Sequence, residues 1–163
     1  MSAHRSPVAV LSGKGGVGKT NLVANVAIAA AGSGAKVLVV DGDLGLANVD
    51  VLLGLTPERT VADVVEGRCS FESAVIRGPG GIHVLPAASG RSDLPSFRPD
   101  RLAGLLVPFF EAVERYDLVL VDAGAGVGPA VITLAAACRH VLLMVTGEPT
   151  SFTDAYATLK VLR

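Results

Sequence analysis

The sequence predicts an α/β fold, a mostly parallel sheet covered by helices on both faces, and three observations carry that prediction. Short apolar runs without polar alternation recur at Val8–Leu11, Lys36–Val40, Ile82–Leu85, Leu118–Val121 and Val141–Val145. Runs of that kind suit strands buried on both faces. Longer helix-like stretches separate them, and strand–helix succession is the pattern that builds a parallel sheet. No repeat and no linker divides the 163 residues, so residues 1–163 are read as one domain.

The elements follow in order. Val8–Leu11 is the first strand, and Lys19–Ala31 is a helix apolar on most sides, which places it against a sheet. Gly32-Ser33-Gly34 stops that helix, and Lys36–Val40 forms a second strand ending at Asp41. Val61–Glu66 and Phe71–Val75 read as short helices, the first closed by Gly67, and Gly78–Gly81 reads as a turn before the third strand. Ser89–Pro99, with Ser, Gly and Pro, is a loop, and Asp100 caps a helix that runs to about Glu114 and is disturbed at Pro108. Leu118–Val121 is the fourth strand, Pro129–Cys138 a helix, Val141–Val145 the fifth strand and Thr150–Leu162 the last helix. In that helix Phe152, Tyr156, Leu159 and Leu162 recur every three or four residues, a stripe read as core packing and not as a membrane anchor.

Composition excludes several function classes. Half of the residues are apolar and 18% charged, which excludes a disordered chain. A net charge of −1 offers no basic face for nucleic acid, and 4% aromatics without Trp provides no stacking platform for single strands. Cys69 and Cys138 lie in no metal or redox spacing and read as small thiols packed in a reducing compartment. Met1–Pro7 lacks a secretory hydrophobic region and no apolar segment reaches membrane-spanning length, so the expected location is cytoplasmic.

The chemistry lies in the glycines. Gly13-Lys14-Gly15-Gly16-Val17-Gly18-Lys19-Thr20 matches G-x-x-x-x-G-K-[ST], between a strand and a helix. At ordinary residue frequencies such a match arises by chance in roughly 1% of chains of this size. Glycines let backbone N–H groups turn around a polyphosphate, and the helix that follows adds its positive N-terminal end. Lys19 would reach the β- and γ-phosphates, and the Thr20 hydroxyl would ligate Mg²⁺. At the end of the second strand Asp41 and Asp43 are two apart, so in extended chain they share a side and can address one metal or one water. Asp41 is assigned to the hydrated Mg²⁺. Leu118–Val121 leads into Asp122, an apolar strand ending in one acid, which would hold Mg²⁺ through water. Ala123-Gly124-Ala125-Gly126 follows as a switch segment, in which the Gly126 backbone N–H would sense a γ-phosphate.

Lys14 through Thr20 resembles the deviant Walker A motif of the MinD/ParA group of P-loop NTPases, within the SIMIBI class. That resemblance implies ATP and Mg²⁺ as cofactors and a face-to-face, ATP-dependent homodimer. Lys14 then contacts nucleotide across the dimer and stabilises charge on the transferred phosphoryl group, and Asp43 positions the attacking water. Asp43–Leu55, Pro86–Gly90 and Glu148–Tyr156 resemble the FlhG/FleN branch, the flagellum site-determining, YlxH-like ATPases. The branch implies a slowly hydrolysing dimerisation switch that governs flagellar number and placement. A flagellar SRP-type GTPase or a transcription regulator is the implied partner, and partners would bring the cytoplasmic protein to the inner membrane.

The chain departs from the family in four places. Gly42 stands where Ala is usual, which is expected to loosen the switch, and Ala123 lacks the hydroxyl usual after the Walker B acid. Family members continue through base-contacting strands to an amphipathic membrane helix, and their FlhG-type branch often adds an N-terminal extension. The 163 residues are therefore expected to hold the phosphate half of the fold. The alternatives are a chromosome- or plasmid-partitioning ATPase of the ParA kind and a truncated, non-catalytic regulatory paralogue. An iron–sulfur carrier would want a paired-cysteine site, and a dinucleotide-binding oxidoreductase would not end its glycine loop in Lys-Thr.

Overall fold

Six strands are found among the described residues: β1 (Val8–Ser12), β2 (Val37–Gly42), β3 (Ile76–Arg77), β4 (His83–Leu85), β5 (Leu118–Ala125) and β6 (His140–Met144). They form one sheet in the order β3-β4-β2-β5-β1-β6, parallel throughout except for the antiparallel pair β3–β4. The computed structural model describes residues 6–43, 48–87 and 99–163, the backbone alone over 99–103. The helices are α1 (Lys19–Gly32), α2 (Val49–Leu53), α3 (Val61–Val65), α4 (Phe71–Ala74), α5 (Pro99–Val113), α6 (Pro129–Ala136) and α7 (Pro149–Leu162).

The unbroken apolar runs of the inner strands are explained by cores on both faces of the sheet, whereas on the edge strand β6 Val141 and Leu142 are exposed. Val37 and Val39 of β2 and Leu120 of β5 pack with Val23 and Ala27 of α1 and Val49 of α2. The residues between them, Leu38, Val40, Val119 and Val121, point the other way and pack with α3, α4, α5 and α6 through Val61, Phe71, Phe109 and Leu134. Successive strand residues face opposite sides, so a strand covered on both faces has no polar side to show.

Four features differ from the sequence reading. β5 continues three residues beyond Asp122, so Ala123–Ala125 are strand, not loop. Its register against β1 passes from Val10↔Asp122 to Ser12↔Ala125, one extra residue on β5, a bulge at the sheet's C-terminal edge. The two-residue β3 and the five-residue α2 lie in segments too short for a periodic pattern. Finally, most of the stripe on α7 is not core, although Leu162, one of its four residues, packs against a core. Phe152, Tyr156 and Leu159 are 60%, 62% and 54% exposed, while Ser151, Ala155 and Thr158 are buried. Those small side chains let α7 come close to the loop after β1, and their hydroxyls are satisfied locally. Ser151 Oγ accepts the Thr146 N–H at 3.0 Å, and Thr158 Oγ1 donates to Asp154 O at 2.9 Å.

Pro108 sits inside α5 without ending it. The carbonyl it leaves unbonded belongs to Gly104, which is exposed and open to water. The loop assigned to Ser89–Pro99 lies outside the described residues except for Pro99, and Gly45 of the switch lies outside them. α5 begins at Pro99, a residue suited to a first helical turn, so Asp100 is inside the helix and not its cap. Among the described residues no helix is long and apolar enough to cross a membrane.

Candidate functional site

The loop from β1 to α1 is shaped by its glycines in two different ways. Gly16 and Gly18 have φ of +77° and +88°, the left-handed region that L side chains avoid, so only there does backbone geometry itself demand glycine. Gly13 is required for another reason. A Cβ on Gly13 would lie 2.5 Å from the backbone carbon and Cβ of Asp154 and 2.8 Å from the Ala155 nitrogen, because α7 crosses there. Buried Ser12 closes the front of the loop by donating from Oγ to Lys14 O at 2.8 Å. α1 then starts at Lys19 with no side-chain cap and no acid in its first turn, so its first amides and its positive end face the loop. The resulting cleft, about 570 Å³, is walled by Gly15–Thr20, by Asp43, by Val51 and Leu52 of α2, and by Ala125.

Asp122, one of the two predicted metal-site acids, is tied to the lysine of this loop. Lys19 Nζ donates to Asp122 Oδ1 at 2.6 Å, with both side chains buried. Asp122 Oδ2 is buried with no hydrogen-bond partner. An orphaned carboxylate oxygen in such a place is costly unless another group takes it up. A hydrated Mg²⁺ fits that donor set: Asp122 below, the Thr20 hydroxyl at the cleft wall, and water or phosphate for the remainder. Among the described residues no cluster of three or more His, Cys, Asp or Glu could hold an ion unaided.

Asp41 occupies a different place from the one its spacing suggested. It pairs in register with Asp122 on the neighbouring strand and is fully buried. Its oxygens accept the backbone N–H groups of Asp43 at 3.0 Å, Asn48 at 3.3 Å and Val49 at 3.2 Å. Burial pushes its pKa up to about 7, the Asp122 charge adds to the rise, and the three amides pull against it. Asp41 thus ties the segment after β2 to the start of α2. Asp43 does line the cleft, 3.7 Å from where a Cβ on Gly124 would stand.

The two departures at Gly42 and Ala123 share one cause. A Cβ on Gly42 would meet Leu134 Cδ1 of α6 at 2.7 Å, so Leu134 occupies the space an Ala side chain would take. Ala123 is fully buried beside Val131 and Ala135 of the same helix, a place where a hydroxyl would find an apolar wall. Gly126, expected to offer its N–H to a γ-phosphate, instead donates it to Ser12 O at 2.9 Å. Lys14 Nζ is bonded to Glu148 Oε2 at 2.7 Å, in front of α7. That bond holds the Lys14 pKa up and the Glu148 pKa down, although both groups are exposed and screened by water.

Sequence reasoning missed Ser12, Leu134 and Glu148. None carries a local signal, since each acts through a contact made only when distant strands and helices meet.

A family model described as the CobQ/CobB/MinD/ParA nucleotide binding domain matches residues 8–160. The antiactivator FleN of Pseudomonas aeruginosa is 51% identical over 155 residues, 95% of this chain and 55% of that protein. The flagellum site-determining protein YlxH of Helicobacter pylori is 32% identical over 154 residues, 94% of this chain and 52% of that protein. A solved structure of the septum site-determining protein MinD complexed with Mg-ADP, from Pyrococcus horikoshii, aligns with a TM-score of 0.86 at 30% identity, over 96% of this chain and 64% of that one. The chain spans about half the length of the curated relatives it matches.

Proposed function

The chain belongs to the CobQ/CobB/MinD/ParA nucleotide-binding domain family, and from that premise we propose that it is an ATP-binding, slowly hydrolysing dimerisation switch acting in the control of flagellar number and placement. The observation that carries the nucleotide reading is the buried Lys19–Asp122 pair with its orphaned Oδ2, set beneath a loop whose Gly16 and Gly18 turn toward an uncapped helix start. The flagellar assignment is supported by the similarity to FleN and YlxH, and Mg-ADP in the Pyrococcus relative supports ATP and Mg²⁺ as ligands.

Each side chain has a task in this reading. Lys19 neutralises Asp122 and would turn to phosphate in the nucleotide complex, leaving Asp122 and Thr20 as the residues that would hold hydrated metal. Bound Mg²⁺ supplies charge neutralisation at the phosphates. Asp43 orients a water in the cleft, and Asp41 fixes the segment that carries it. Lys14 exchanges Glu148 for the nucleotide of a second subunit, and Gly126 exchanges Ser12 O for a γ-phosphate oxygen. Both exchanges require existing bonds to break, which is how nucleotide occupancy would be converted into a dimer.

ATP turnover measured against protein concentration tests the reading. The rate per subunit should rise with concentration, and Lys14→Ala should abolish the rise while nucleotide still binds. Absence of Mg-ATP binding, or turnover indifferent to Asp43→Ala, refutes the enzyme and favours a regulator that binds partners without catalysis.

A further inference from the structure

The opposite pole of the sheet holds a second cavity, about 300 Å³, which shares no residue with the phosphate loop. Four chain segments bring cations or a potential donor to it: Lys36 before β2, Arg77 on β3, His83 on β4 and Arg115 after α5. The pairing of the short antiparallel β3 sets Arg77 directly across from His83. Phe71, Val75 and Ala112 form the apolar part of the wall.

The charges of this cavity are only partly answered from within. Arg115 meets Glu72 through a single 3.1 Å contact, with both side chains about half exposed. Lys36 Nζ lies over the face of Tyr116, 4.9 Å from the ring centre. Among the described residues neither Lys36 nor Arg77 has a carboxylate within salt-bridge distance. The nearby Asp117 accepts the Lys36 backbone N–H at 2.9 Å. Beneath them buried Tyr116 is joined to His83 Nδ1 at 2.6 Å, ring edge to ring face. Burial, then Lys36 and Arg77, hold His83 below its usual pKa, and burial holds Tyr116 above its own, so that pair is uncharged at neutral pH. The lining therefore carries three cations against the single acid Glu72, in a protein whose net charge is −1.

We propose that this cavity is a binding site for a small organic anion, a phosphate or carboxylate on an apolar stem. The Arg77 guanidinium and Lys36 ammonium would take the anion, and the wall of Phe71, Val75 and Ala112 its stem. Guanidinium forks match both oxyanions, and the volume lies at the lower end of the range for small-molecule pockets. Nothing in this assignment depends on nucleotide binding at the opposite pole.

Phenyl phosphate and benzoate serve as probes, titrated into the full chain with saturating Mg-ADP while the ring NMR signals of His83 and Tyr116 are followed. Saturable shifts of both rings with either probe are expected. Inorganic phosphate and Arg77→Ala should each weaken binding by about tenfold or more, the loss of a stem contact or of a charge-assisted hydrogen bond. Lys36→Ala should also weaken it, and phenol should not saturate. Ring signals that stay fixed, affinity unchanged in Arg77→Ala and Lys36→Ala together, or inorganic phosphate binding as tightly as phenyl phosphate would each overturn the site. If Mg-ADP itself fails to bind, the His83 and Tyr116 signals still report on this cavity alone.

Discussion

Replacing Gly13 by Ala separates two readings of the phosphate loop. If all four loop glycines served only to free backbone amides, Gly13→Ala and Gly15→Ala would behave alike. The structure predicts that they differ sharply. A Cβ at position 13 meets Asp154 at 2.5 Å, whereas one at position 15 has nothing within 4 Å. Carbon atoms rest at about 3.5–4.0 Å, so α7 or the loop must give way by about 1 Å. Asp154 and Ala155 oppose it with backbone atoms, which cannot rotate aside. Overpacking of this kind costs about 1–3 kcal/mol, and the rigid partners place Gly13→Ala at the upper end. For a chain of this size that lowers Tm by roughly 4–12 °C. Gly15→Ala should stay within about 0.5 kcal/mol of the parent. Gly16→Ala, at φ +77°, should lose about 1–2 kcal/mol through strain and not through a clash. Thermal melts and urea titrations of the four proteins decide the matter. Gly13→Ala melting with the parent, or Gly15→Ala falling as far, would refute the close approach of α7.

Other positions give independent checks. Lys19→Ala leaves Asp122 as an uncompensated buried charge, so it should lose about 3–5 kcal/mol in denaturant unfolding, besides its nucleotide affinity. Asp63 accepts the Thr60 N–H at 2.8 Å and pairs with Arg68; burial raises its pKa, but these partners outweigh burial and hold it low. Its stabilising effect is present above the unfolded value near 4 and is lost as pH falls through the lowered folded value. Asp63→Asn should therefore cost about 1 kcal/mol at pH 7, discounted for exposure, and much less in acid, where urea midpoints of the two proteins should converge. Burial pushes the Cys138 thiol up to about 12, so native protein at pH 8 should leave Cys138 unalkylated by iodoacetamide, and unfolded protein should not.

Local chemistry accounts for what the sequence alone determined. The five long-range parallel strands, the phosphate loop and the acid ending an apolar run at Asp122 are legible because each is written in consecutive residues with one physical meaning. An unbroken Val/Leu run marks a strand of the parallel sheet, covered on both sides at its centre though not at the β6 edge, and a glycine-rich turn before Lys-Thr suits an anion. Tertiary structure decided everything that depends on who stands opposite. Asp41 and Asp43 share a strand side in extended chain, yet the chain leaves the strand after Gly42 and returns its own amides to Asp41, so one acid is buried and the other lines the cleft. The apolar stripe of α7 has the period of a core face. The helix turns its small-residue face inward instead, and there Asp154 and Ala155 come close to Gly13. Gly42 and Ala123 look like losses in a motif and are fits to Leu134, Val131 and Ala135 of α6. Periodicity reports that a face is apolar, but shape complementarity chooses which face is buried, and shape exists only once distant segments have met.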